Sequence, residues 1–205
     1  MKAALTSITL AVMLWGCATT PSQPKLTRPG DIGHHDSSIV FPEAIGAFRR
    51  GEVRTYDAKG RDMSAGYNLT DPRNTIVITV YVYPGPKLIS IGSPANVVDT
   101  ARRRLTGTHF DVIKAEHIKY HPWASLVSEH ESALEFRGQS LYGRTAVFKS
   151  EELFAYRIQP IVTQAEVYAY GKWIIKFFTT NPAASQGVSV KFIQAFKEEF
   201  RRTNE

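Results

Sequence analysis

Apolar and polar residues alternate most cleanly over Thr75–Tyr83. Ile76, Ile78, Val80 and Val82 fall on one side, and Val77, Thr79, Tyr81 and Tyr83 on the other. A period of two gives each set its own face of a strand, and the aliphatic set is the one expected to meet the core. The same reading predicts strands over Phe48–Tyr56 and Arg61–Leu69, separated by the turn Asp57-Ala58-Lys59-Gly60. It predicts two more over Leu126–Phe136 and Arg144–Ser150, connected through Arg137-Gly138-Gln139. Pro160–Tyr170 and Trp173–Thr180 read as a hairpin whose Gly171-Lys172 loop suits a type II′ turn. That turn sets Tyr170 opposite Trp173, Tyr168 opposite Ile175 and Glu166 opposite Phe177.

Two segments carry a helical period. Ser93 and Pro94 suit the N-cap and first helical position, and Val97, Val98, Ala101 and Leu105 form a stripe that continues through Val112 and Ala115. A helix is expected from Pro94 to about Lys119. Gly107-Thr108 admits a break, and a short helix followed by a strand at Phe110–Ala115 is the alternative. The second helix is expected from Gln186 to Arg202, with Phe192, Ile193, Phe196 and Phe200 on one face. The order strands, helix, strands, helix, with short turns between strands, predicts an α+β domain. Its antiparallel sheet should have about six to seven strands, packed with two main helices.

The first seventeen residues follow a different pattern. Lys2 precedes an uncharged apolar run, Ala3–Leu14, that is too short to span a bilayer core needing roughly 20 apolar residues. The run ends in Leu14-Trp15-Gly16-Cys17, which resembles the lipobox of bacterial lipoproteins. The resemblance implies transfer of diacylglycerol to the Cys17 thiol, cleavage after Gly16 and N-acylation of Cys17. Trp15 departs from the family pattern, where a small residue is usual. The competing reading is a buried N-terminal helix with an ordinary cysteine. Against it, Cys17 is the only cysteine, so no disulfide can form within the chain, and a tract containing Pro21 and Pro24 follows at once. The expected organisation is a signal peptide over 1–16, a lipidated cysteine and flexible tether over 17–37, and one globular domain over 38–205. Ala18, where an Asp would favour inner-membrane retention in enterobacterial lipoproteins, directs the expectation to the outer membrane.

Composition narrows the classes. Hydrophobic residues make up 43% and charged residues 21%, which excludes a disordered chain, a collagen-like repeat and a disulfide-stapled miniprotein. Lys and Arg number 25 against 19 acids, a net charge of +6; loss of Lys2 with residues 1–16 leaves 24 against 19, or +5. These cations are spread along the chain, so no nucleic-acid partner is indicated.

Several stretches of the globular part, Phe41-Pro42 with Gly46-Ala47-Phe48-Arg49-Arg50, Gly66-Tyr67-Asn68, Val80-Tyr81-Val82-Tyr83-Pro84 and Trp173-Ile174-Ile175-Lys176-Phe177, resemble secreted or lipid-anchored envelope proteins of Gram-negative bacteria. This resemblance implies a compartment and a fold, and no catalytic residue. The succession of elements is also distantly similar to PsbP and Mog1-like α/β/α sandwiches, by architecture alone.

Candidate chemistry is sparse. His117 and His121 are four apart, a two-ligand zinc spacing on a helix, and His109 precedes them by eight; Glu129, His130 or Glu131 would have to supply a third ligand. No HExxH, Gly-x-Ser-x-Gly, GxGxxG or Walker-A pattern occurs, and no cofactor is implied. His34-His35-Asp36 reads as linker or as a weak metal site. Arg102-Arg103-Arg104, Arg49-Arg50 and Arg201-Arg202 read as solvated faces or as contacts to anionic surfaces. The aromatic residues carry the ligand hypothesis. Tyr81 and Tyr83 share one strand face, and Tyr168, Tyr170 and Trp173 share another. Were the two faces to coincide, they would line an amphipathic site; the plainer alternative is core packing beneath a helix. The expected function is a non-catalytic, lipid-anchored envelope module binding an amphiphile or an envelope-protein partner. The alternative is an envelope hydrolase, metal-dependent through His117 and His121.

Overall fold

The computed structural model describes residues 25–26, 29–71, 74–86, 92 and 94–205. The segment expected to be a signal peptide, Cys17 and Ser93 lie outside the described residues. The strands are β1 (Lys25–Leu26), β2 (Ile32–Gly33), β3 (Val40–Phe41), β4 (Ala44–Ile45), β5 (Phe48–Thr55), β6 (Met63–Asp71), β7 (Asn74–Pro84), β8 (Ser125–Phe136), β9 (Gln139–Phe154), β10 (Arg157–Tyr170) and β11 (Trp173–Pro182). The helices are α1 (Ala95–Tyr120) and α2 (Gln186–Thr203).

The fold is α+β, with one large sheet in the order β1-β5-β6-β7-β11-β10-β9-β8, β4 added on β5, and β2 paired with β3 apart from it. Among the described residues every pairing is antiparallel. Seven of the strands, β5 to β11, are long, at the upper end of the expected number. From β7 the chain crosses one face of the sheet as α1, reaches the far edge at β8, and returns strand by strand until β11 pairs with β7.

The pleat splits the sheet into two faces with separate cores. On one face α2 lays down Ile193, Phe196 and Phe200 against Ile76, Ile78, Val80 and Val82 of β7, Ile175 and Phe177 of β11, and Phe48, Tyr67 and Phe136. Phe196 stands edge-on to Phe48 and Tyr67 at 5.0 Å between centroids, a favoured aromatic geometry. On the other face Phe110 and Ile113 of α1 cover Ala146, Phe148, Ala165, Val167, Ala169 and Ile174. Gly143 is required in β9 because a Cβ there would stand 2.7 Å from the Val167 carbonyl and collide with the Tyr168 ring.

Helix α1 runs unbroken through Gly107. Its buried positions are Thr106, Phe110, Ile113 and His117, whereas Val97 and Val112 of the expected stripe are about half exposed. The stripe turns by one position because burying Phe110 and Ile113 removes more apolar area from water than burying two valines. The β10–β11 register is the expected one, with Tyr170 opposite Trp173 and Gly171 at φ +56.

Residues 29–37, expected to be tether, belong to the fold. Ile32 and His34 are buried, and β2 pairs with β3. His34 meets Trp173 edge-on at 4.8 Å and bonds the Arg61 carbonyl at 3.0 Å. A second clasp ties this segment to the C-terminus. The Asn204 side chain donates to the Val40 carbonyl and accepts from the Val40 amide, while Arg137 donates to the carbonyls of Ser37, Ser38 and Asn204.

Candidate functional site

Helix α1 fits the sheet closely at its middle and parts from it at both ends. Phe110 is fully buried there, and the neighbouring His109 Nε2 bonds the Tyr83 hydroxyl at 2.8 Å. Two clefts result.

The larger, about 540 Å³, lies under the N-terminal half of α1 at the end of the sheet where β10 turns into β11. Val98, Leu105, Ala169, Trp173 and Ile174 supply an apolar lining, closed at one side by Pro84, Gly85 and Pro86. Arg61, Arg102 and Lys172 stand among the lining residues with one acid, Asp36. Arg102 is paired with Asp99 at 3.1 Å, Arg61 with Asp57 at 3.2 Å, and the Lys172 ammonium lies 5.2 Å from the Trp173 ring centroid. The volume falls within the range of small-molecule sites, roughly 300–1,000 Å³.

The smaller cleft, about 250 Å³, lies under the C-terminal end of α1 and is lined by Tyr81, Ile113, Glu116, His117, Tyr120, His121, Lys176 and Phe178. The Lys176 ammonium stands 4.0 Å from the Tyr81 ring centroid and 5.7 Å from those of Tyr83 and Phe178. Among the described residues it has no hydrogen-bond or ion-pair partner. Burial holds it down at about 8, with Glu116 and Asp62 acting in the opposite direction. Burial also holds His117 down at about 4, helped by His121. His121 Nδ1 meets Glu152 at 2.8 Å, which ties the end of α1 to β9.

The predicted site residues divide between the two faces. Trp173 and Ile175 align with Pro84 and Val82, and Lys176 with Tyr81. Tyr81 and Tyr83 therefore lie under α1, while Tyr168 and Tyr170 lie on the face covered by α2. The two aromatic sets do not form one lining, because neighbouring residues of a strand point to opposite sides. Tyr168 is buried and donates to Glu166 at 2.5 Å. Tyr170 packs on Phe136 and accepts from Arg137 at 3.2 Å. Only Trp173 reaches the larger cleft, and only Tyr81 the smaller.

His117 and His121 do face one another, 4.6 Å between centroids. No group of three His, Cys, Asp or Glu among the described residues converges as a metal cage. Glu129 is taken up by Lys114 and Arg144, Glu131 accepts from Tyr142, and His109 is bonded to Tyr83. The arginine runs are dispersed in the same way. Arg50 holds the Phe41 carbonyl, Arg103 lies over Tyr142, Arg201 pairs with Glu198 and Glu205, and Arg202 pairs with Glu199.

Sequence reasoning missed Lys176 and Arg61 as site residues; Arg102, read as a solvated face or an anionic-surface contact, stands at the larger cleft. Lys176 had a signal: it is the one charge inside Trp173-Ile174-Ile175-Lys176-Phe177-Phe178. Arg61 had none, since its place at the cleft depends on the fold. No protein-family model matches the chain, and a search of curated proteins returns no match.

Proposed function

We propose that the protein binds an amphiphile with an anionic head group in the cleft under the N-terminal half of α1, and presents that cleft to a membrane to which Cys17 anchors it. The observation that carries this reading is the cleft itself: an apolar lining of aliphatic side chains and Trp173, with three cations and one acid around it. Apolar walls take the chain of an amphiphile, and cations select its head.

The path of the N-terminus supports the orientation. Lys25 pairs with Arg54, and Leu26 with Val53, so the chain enters the sheet from the end that carries the β5–β6 and β10–β11 turns. That is the end at which the cleft lies. Cys17 is eight residues before Lys25, a reach of at most about 29 Å when fully extended.

The test is native mass spectrometry of the full chain, extracted from membranes in a mild non-ionic detergent. A stoichiometric bound lipid is expected, lost or reduced at least ten-fold in Leu105→Trp, which fills the cleft. A wild-type protein without lipid, or a lipid retained equally by Leu105→Trp, would overturn the reading. The anchor is tested separately. The mass of the N-terminal peptide should show three acyl chains on Cys17, and Cys17→Ala should release the protein from the lipidated pool.

A further inference from the structure

The cleft at the other end of α1 has a chemistry that amphiphile binding does not use. Lys176 sits on the sheet-facing side of α1, between Ile174 and Phe178 on β11, and its ammonium rests against the rings of Tyr81, Tyr83 and Phe178. Lysines that cross an aromatic surface ordinarily end in water or on a carboxylate. This one ends in a cleft, with no acceptor among the described residues. Partly buried against these rings, with no carboxylate in contact, the ammonium loses much of the hydration that favours its charge, and its neutral amine is a nucleophile.

We propose that this cleft is a carbonyl-capturing site, in which the Lys176 amine forms an imine with a small, neutral, flat aldehyde or ketone. The volume, about 250 Å³, and the aromatic walls Tyr81, Tyr120 and Phe178 fit a flat molecule. An anionic ligand fits poorly, because Glu116 lines the same cleft and Glu152 adjoins it through His121.

In the step, the nitrogen lone pair adds to the carbonyl carbon and the C=O π pair moves to oxygen. One proton passes from nitrogen to that oxygen, giving the carbinolamine. The nitrogen then loses its second hydrogen as the hydroxyl takes up a proton and leaves as water. One amine and one carbonyl give one imine and one water. Glu116, His117 and His121 line the cleft as carriers for these proton movements.

The groups that bear on the amine come from every element packed around it. They are His109, Glu116, His117 and His121 of α1, Tyr81 and Tyr83 of β7, Asp62 before β6, and Glu152 of β9. Burial of Lys176 outweighs the two acids that favour its charged form and sets the midpoint near 8. The neutral amine, and with it imine formation, grows as pH rises through that value.

The experiment exposes the full chain to benzaldehyde with cyanoborohydride and maps the trapped lysines by peptide mass spectrometry. Lys176 is expected to be labelled at least ten-fold faster than the average of the other lysines at pH 7.5, with a rate midpoint near pH 8. Lys176→Arg should remove that label alone. Labelling in order of exposure, with Lys176 among the slowest, would overturn the proposal, and this outcome needs no variant. So would protection of Lys176 by phosphate or acetate without benzaldehyde selectivity, which would mark an anion site. Neither result depends on the larger cleft.

Discussion

Glu166 is the most buried carboxylate named in the sheet, yet it lies among apolar side chains beneath α2. Lys197 of α2, the Tyr168 hydroxyl and the Gln164 amide all donate to it. Its side chain is 3% exposed against 20% for Lys197, so the lysine screens the acid and not the reverse. Removing the partner of a buried charge costs more than removing the pair, because the remaining charge keeps its desolvation cost. Lys197→Met should therefore lower unfolding free energy by about 3 kcal/mol, and adding Glu166→Gln should recover part of that loss. Urea denaturation of the single and double variants measures both. A double variant no more stable than the single would count against the screening role. Lys176 is the opposite case at the same scale: a partly buried charge with no hydrogen-bond or ion-pair partner among the described residues, legible beforehand only as an interruption in an apolar run.

At the level of elements, the β9–β10 hairpin is the feature furthest from expectation. The sequence reading stopped at Ser150 and resumed at Pro160. The strands continue, with Phe154 opposite Arg157 and Leu153 opposite Ile158. The hairpin extends past the β8 and β11 pairings, which stop at Lys149 and Ile161. Its turn places Ala155 and Tyr156 at φ +50 and +66, the left-handed region that costs an L-residue roughly 1–2 kcal/mol. Replacing Ala155-Tyr156 by Asn-Gly, the residues suited to such a turn, should stabilise the protein by about 1 kcal/mol. Thermal unfolding checks this, and a lowered Tm would mean that the exposed Tyr156 contributes to the fold. Helix α1 shows a second limit of element-level reading. A regular apolar stripe predicted the helix, but the choice between Val112 and Ile113 as the inner residue was made by the sheet beneath it.

For the molecule as a whole, three histidines are held as neutral rings, His34 and His117 buried and His109 half-buried. His34, His109 and His117 are all held below the ordinary value, burial being the largest cause in each, and His117 reaches about 4. The unfolded chain binds these protons near pH 6.5 and the folded chain does so only at lower pH. Between those values the unfolded state holds more protons, so stability rises with pH. It is fully present above about 6.5 and is lost as pH falls towards 4. The loss from His117 alone should be on the order of 2–3 kcal/mol, read as a falling Tm between pH 7 and 4.5. His117→Phe, which keeps the ring against Phe148, should flatten that fall. A variant with the wild-type slope would show that His117 does not set it.

The sequence by itself determined the antiparallel α+β class, the β10–β11 register and both helices, because local period, turn chemistry and helix signals agree in those segments. It also determined which residues share a strand face, since that follows from the pleat alone. Only the tertiary structure decided which faces meet. The pairings of β7, β11 and β10 put Tyr81 and Tyr83 under α1, and Tyr168 and Tyr170 under α2. The single proposed aromatic lining became two separate places. The clefts at the two ends of α1 were equally out of reach, because each joins residues far apart in the chain. Asp36 and Trp173 both line one, and Tyr81 lies under Lys176 at the other. Such long-range juxtaposition is set by strand order and by the tilt of a helix across a sheet. No local pattern encodes either one.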